Sequence, residues 1–156
     1  MQAAVLLMAA VLVFSSSCST RRSASQEEIA SRLPTIPITL PNGKVIRAEL
    51  AADPADQQRG LMYRTELPAD RGMLFVFPQS GYHPFWMYHT LIPLDVLWLD
   101  RTRTIVFLSP KTPPCESEKP EDCPNYGGNS PAQFVLELAA GAAEAHGLKV
   151  GDRLQF

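Results

Sequence analysis

Two acids stand inside apolar runs: Asp95 between Leu94 and Val96, and Glu137 between Leu136 and Leu138. Such neighbours disfavour the charged form of a carboxyl and raise its pKa, which suits it to general acid-base work in a hydrolase or lyase. Arg64 is the candidate counter-ion, although a buried Arg–carboxylate pair more often holds structure than does chemistry. The sequence has no G-x-S-x-G elbow, H-E-x-x-H pair, P-loop or dinucleotide fingerprint. Catalysis is therefore the lesser expectation, and no cofactor is expected.

Other constellations suggest binding. Tyr82, Phe85, Trp86 and Tyr88 crowd into a stretch with Gly81 and Pro84, the composition of an aromatic loop able to stack on a sugar or another ring. With His89 and Arg64 added, Tyr82, Trp86 and Tyr88 make a candidate shallow site for a small molecule or glycan. The plainer alternative has Phe85 and Trp86 plugging the fold while Tyr82 and Tyr88 face water. Met62, Met73, Met87, His83 and His89 offer the soft donors that Cu(I) prefers. The three Met residues stand in apolar surroundings where Met usually fills gaps, so core packing is the expected role.

Cys115 and Cys123 sit in KTPPCESEKPEDCPNYGG, a loop with little apolar content of its own. In an exported chain these two should form a disulfide. A zinc clip would need closer spacing and further ligands.

Export is what the beginning of the sequence suggests. Ala3 to Phe14 is an uninterrupted run of small and apolar residues, and the first charged side chain is Arg21. As a helix, that run spans roughly 18 Å, short of the ~30 Å hydrocarbon core of a bilayer. Ser15, Ser16, Ser17 and Cys18 follow, so residues 1–17 read as a signal peptide. The junction resembles a lipobox, which implies lipidation of Cys18 and a membrane anchor; Ser15 in place of Leu, and the lack of a preceding Lys or Arg, are departures, and the plainer alternatives are ordinary cleavage with Cys18 a bystander or an uncleaved anchor. Ser19 in place of Asp implies, on the same resemblance, the outer membrane facing the periplasm. Residues 18–33 are too polar to join a core and read as a tether.

The 156 residues are 46% hydrophobic and 19% charged, with 14 Lys and Arg against 16 Asp and Glu for a net charge of -2. This composition fits one globular domain and gives no field for a phosphate backbone, so nucleic acid is not an expected partner.

All 14 prolines fall between Pro34 and Pro131, which excludes long helices over most of the domain at 34–156. Ile36, Ile38 and Leu40 alternate, Pro41-Asn42-Gly43 turns the chain, and Ile46, Ala48 and Leu50 alternate again, predicting a hairpin. Asp53 and Pro54 predict a capped short helix over ADQQRGLM, ended or bent by Gly60. Met73 to Phe77, Leu94 to Leu99, Thr104 to Leu108 and Phe134 to Leu138 are apolar on both faces, as in strands of a closed or doubly covered sheet. A small Ala-rich helix over Ala139 to His146 and a last strand over Arg153 to Phe156 complete the prediction. The expected fold is mainly β with two short helices, a compact, barrel-like single domain.

GLMYRTELPADRGMLFVF (60–77), FWMYHTLIPLDVLWLD (85–100) and VLELAAGAAEAHGLKVGD (135–152) resemble, in order, three signature blocks of the domain of unknown function 192 family. The resemblance covers nearly all of the chain from Pro34 onward. It implies a compact, largely β domain, often exported in bacteria, without an established activity. Tyr88 and His89 stand where the family commonly has Lys and Asn, so no ligand contact of that pair is carried over.

Overall fold

The computed structural model describes residues 33–156. The expected signal peptide at 1–17, Cys18 and the tether up to residue 32 lie outside the described residues. Leu33, one residue before the expected start of the domain at Pro34, packs against the domain core.

The predicted hairpin is present as β1 (Thr35–Thr39) and β2 (Val45–Ala51), paired antiparallel with Ile38 opposite Ile46. Its turn depends on Gly43 at φ 80 and on Asn42 Oδ1, which accepts from the Lys44 N–H at 3.0 Å. A short α1 (Pro54–Arg59) follows. The expected side-chain cap is absent: Asp53 accepts the Gln57 N–H at 2.9 Å through its backbone carbonyl instead. The helix also stops at Arg59, earlier than Met62, because Gly60 takes φ 47 with its Cα against the Phe75 ring. This connection brings β3 (Arg71–Gly81) parallel to β2.

Among the described residues, β1, β2, β3, β8 (Ala132–Ala139), β5 (Leu94–Leu99) and β6 (Ile105–Thr112) form one sheet in that order. A second, two-stranded ribbon pairs β4 (Pro84–Trp86) with β7 (Asn125–Gly127). The sheet is not closed into a barrel. Single bridges from Gln155 to Thr39 and from Arg153 to Thr104 let the last residues touch both of its edges, giving a barrel-like body. The expected strand over Arg153 to Phe156 is reduced to these two bridges, since successive residues turn to opposite edges and neither pairing can extend into a ladder.

Alternation along the central strands explains why their sequences are apolar throughout. Leu74, Leu97, Leu99, Leu136 and Leu138 face one cluster, which is sealed by Ile38, Ile46, Leu154 and the Ala142–Ala143 start of α2 (Ala142–His146). Met73, Phe75, Val96, Trp98 and Val135 face a second cluster, covered by Leu61, Met87 and the small ribbon. Both faces are covered, so period-two alternation has no solvent-facing half to display.

Trp98 joins the ribbon to the sheet. Fully buried, it donates its indole N–H to the His83 carbonyl at 2.7 Å and meets the Phe85 ring edge-on at 5.8 Å. Gly127 of β7 lies flat against it. The loop feeding β7 is tied by a disulfide between Cys115 and Cys123, as expected, with Cα atoms 5.6 Å apart. Closing that loop is worth about 2.6 kcal/mol in the chain-entropy estimate, which offsets the loop's low apolar content.

A Cβ on Gly127 would stand 2.3 Å from the Trp98 ring, on a backbone at φ 65. Gly127→Ala should therefore cost about 2–4 kcal/mol and shift the Trp98 fluorescence, both measurable by denaturant titration.

Candidate functional site

The two acids meet opposite fates. Asp95 is wholly buried, and both its oxygens are occupied: Oδ1 accepts the Lys111 N–H and Oδ2 the Ala143 N–H, each at 2.7 Å. It thereby fixes the first turn of α2 and the bend in β6 where Lys111 takes φ 49. A backbone N–H bound at each oxygen gives the carboxylate a structural role, tying β6 to the start of α2.

Glu137 instead faces a pocket. Its side of β8 is the side of Met73 and Val96, its cross-strand partners. Only 5% of it is exposed, and its Oε2 has no hydrogen-bond partner among the described residues. Burial pushes its pKa up to about 8, against a smaller downward pull from the Arg64 charge. At neutral pH the group is chiefly a neutral acid, able to donate one hydrogen bond and accept others.

The pocket is about 290 Å³ and opens between two segments. One is the end of α1 with the following turn, Gln57 to Met62; the other runs from Phe77 through Tyr82, His83, Phe85 and Trp86. Phe75 and Glu137 line it from the sheet. The second segment exists because the β3–β8 pairing breaks between Val76 and Gly81. Gln57 Nε2 caps the freed Val76 carbonyl at 2.8 Å, and Gln133 Nε2 reaches that of Phe77 at 3.4 Å.

His83 is held by stacking on Phe77, with ring centroids 3.6 Å apart and planes 9° apart. Its pKa is lowered, chiefly by burial, with backbone hydrogen bonds at Gln79 and Ala132 acting the other way. Its Nε2 is buried close to Gly81. Among the described residues, Glu137 Oε2 is a buried side-chain oxygen of the pocket lining without a hydrogen-bond partner. A buried polar atom left unsatisfied costs about 1–3 kcal/mol.

Arg64 pairs with neither proposed acid. It grips Glu49 through two parallel bonds of 2.7 and 2.6 Å, a partner on β2 that sequence spacing gave no reason to select. The aromatic candidates divide between pocket and surface. Phe85 points inward onto Phe75 and Trp98, whereas Tyr82 and Trp86 are exposed at the pocket. Tyr88 and His89 lie beyond it: His89 stacks with Tyr88 at 3.8 Å and with Tyr63 at 4.9 Å, and the Tyr88 hydroxyl donates to the Glu118 carbonyl of the disulfide loop. Of the soft donors, Met73 and Met87 are buried in the second cluster and Met62 lines the pocket. His83 and His89 make the ring contacts just described. No group of three or more His, Cys, Asp or Glu side chains suited to a metal occurs among the described residues.

The fold and pocket define a small β-rich domain with a pocket on one face of its sheet. The sequence matches the family model described as DUF192, Uncharacterized ACR, over residues 38–156, and the chain belongs to that family. A solved protein of unknown function from Novosphingobium aromaticivorans is 33% identical, with a TM-score of 0.73 over 82% of this chain and 89% of its own. A Sinorhizobium meliloti structure, described as a candidate transcription regulator, is also 33% identical, with a TM-score of 0.65 over 78% of this chain and 91% of its own. Among curated proteins, none matches.

Two substitutions should separate the acids. Asp95→Asn places an amide against a backbone N–H and should lose about 2–4 kcal/mol in chemical denaturation. Glu137 holds its proton more tightly when folded than its ordinary 4.5. Its contribution to stability is therefore complete below that pH and falls as pH rises toward about 8. Glu137→Gln should fold normally and flatten this part of the curve of melting temperature against pH.

Proposed function

We propose that this protein is an exported, lipid-anchored module of the cell envelope that binds a small molecule or a single glycan unit in the pocket over Glu137. One observation carries the reading: a buried, partnerless carboxyl lines a compact cavity with aromatic walls. Enclosure by apolar and aromatic side chains around a few convergent polar groups is the general design of small-ligand sites, and about 290 Å³ is near the lower end of their usual ~300–1,000 Å³. Exposed Tyr82 and Trp86 add ring faces of the sort that stack on sugars.

The envelope part rests on the apolar run before Cys18 and on the Cys115–Cys123 disulfide, a bond favoured in oxidising compartments. Among the described residues, no helix is long and apolar enough to cross a membrane, so attachment in this reading comes from lipid on Cys18. With a net charge of -2, nucleic acid is not the proposed partner.

A second reading is favoured by the proton that Glu137 retains at neutral pH: a hydrolase or lyase in which Glu137 is the general acid. Asp95 leaves that reading because backbone amides hold both its oxygens.

Native mass spectrometry of protein isolated from its own host's envelope should show a small non-covalent adduct, released on unfolding and diminished in Glu137→Leu. The mature chain should begin at a lipid-modified Cys18. Unprocessed protein in the cytosol would overturn the envelope assignment. An adduct-free protein whose tryptophan emission ignores a broad panel of sugars, amides, amines and carboxylates would overturn the binding assignment. If the adduct is converted to product by the wild type but bound unchanged by Glu137→Gln, the catalytic reading replaces it.

A further inference from the structure

We propose that the rim of this pocket is a membrane-docking surface, on which Tyr63, Tyr82, Trp86 and Leu91 settle into the headgroup region of a zwitterionic bilayer. The inference rests on the lipid-anchored reading above and adds which face of the domain meets the membrane.

Among the described residues, six large hydrophobic side chains are exposed: these four, and Val45 and Val150. Tyr82 and Trp86 line the pocket, while Tyr63 follows Met62 and Leu91 follows Thr90, both of which line it as well. Exposures of 56% for Tyr63, 66% for Tyr82 and 54% for Leu91 leave these side chains largely in water. Val45 and Val150 stand singly, at the start of β2 and in the turn before the last residues. Scattered exposed hydrophobics need no explanation, whereas a group of them around one opening marks a surface that meets something apolar. Ring contacts hold part of the rim as a unit: Trp86 meets Tyr88 at 5.6 Å, and both Tyr88 and Tyr63 pack on His89.

Two observations select a bilayer as the occupant. The first is where the chain enters the domain. Leu33 packs against the second cluster, to which Leu61, Phe75 and Phe85 of the pocket wall belong. Its neighbour Pro34 accepts the Leu50 N–H through its carbonyl at 2.8 Å, beside the end of β2 from which the chain passes into α1. Residues 19–32 separate Cys18 from Leu33, a length of chain that reaches at most about 50 Å. A lipid on Cys18 therefore keeps the pocket face within reach of the bilayer, and weak apolar contacts suffice to seat it.

The second is the chemistry of the rim. Tyr and Trp combine an apolar ring with a polar tip, the pairing that favours them where lipid meets water. The charges around them have both signs. Arg59 is exposed at the end of α1, and Glu116 and Glu118 are exposed on the disulfide loop that receives the Tyr88 hydroxyl bond. A zwitterionic headgroup offers a phosphate to the first and an ammonium to the others. An anionic leaflet would call for a strongly basic rim, which these residues do not make.

The test uses the lipid-modified mature protein, disulfide intact, in phosphatidylcholine vesicles whose acyl chains carry bromine near the headgroup. The chain has two tryptophans and Trp98 is fully buried, so quenching by bromine reads Trp86. The expected result is that Trp86 emission is quenched, that Trp98 emission is spared, and that Trp86→Phe abolishes the quenching. The mature chain made without lipid, as Cys18→Ser, should partition onto the same vesicles. The double substitution Tyr82→Ser with Leu91→Ser should weaken that partition by about tenfold or more, and should relieve the quenching in the anchored protein. Both side chains are largely exposed, so the double variant should melt near the wild-type temperature.

Unquenched Trp86 in anchored protein that still carries its co-purified adduct would overturn the docking surface and leave the binding reading in place. Rim-dependent partition by a chain that proves to carry no lipid in its host would support the docking surface and overturn the anchor. Binding to anionic vesicles alone, indifferent to the double substitution, would assign membrane contact to Arg21 and Arg22 and overturn the rim assignment. Self-association lost in the double variant, with Trp86 unquenched, would give the rim to a second copy of this chain and overturn it as well.

Discussion

The contact of Trp98 with the β4–β7 ribbon organises the second face of this protein. One buried indole supplies a hydrogen bond to the His83 carbonyl, an edge-on contact for Phe85 and a flat wall for Gly127. A three-residue ribbon has too few ladder bonds to stand alone. Trp98 fixes its position over the sheet together with the Phe77–His83 and Phe75–Phe85 contacts. The pocket is the space left between this pinned ribbon and the α1 turn, so its shape depends on a side chain that does not line it.

The two buried acids show how the same residue type, in similar sequence surroundings, is put to different uses. Asp95 lies where a strand edge and a helix start both present free N–H groups, and its carboxylate ties them together. Glu137 lies where the covering layer is incomplete and finds no such donors, so the surrounding low dielectric keeps it protonated.

Local strain gathers beside the same region. Tyr63 and His89 both adopt left-handed backbone, at φ 65 and 53, and are joined by a bond of 2.8 Å from the Tyr63 N–H to the His89 carbonyl. Left-handed conformations cost non-glycine residues free energy and persist where surrounding contacts over-determine them. Here the determinants are the stack of Tyr63, His89 and Tyr88, and the Tyr88 hydroxyl bond to the disulfide-closed loop. The loop cross-link and the turn after α1 thus brace opposite ends of one surface stack.

Sequence alone determined much of this protein: the opening hairpin, the short helix after Asp53, the four apolar strands, the Cys115–Cys123 bond and the family. These follow from local causes, namely alternation, turn chemistry, proline placement and motif order. It also singled out Asp95, Glu137, Trp86 and Tyr82 by type and neighbours. Only the tertiary structure decided that Asp95 is consumed by backbone amides, that Arg64 belongs to Glu49, that the sheet stops short of a closed barrel, and that His83 shares a pocket with Glu137. Each of those outcomes turns on which groups meet across 15 or more positions of chain, or on whether a side chain finds a partner at all. Residue order specifies the groups that must be satisfied; packing in three dimensions determines which of them are.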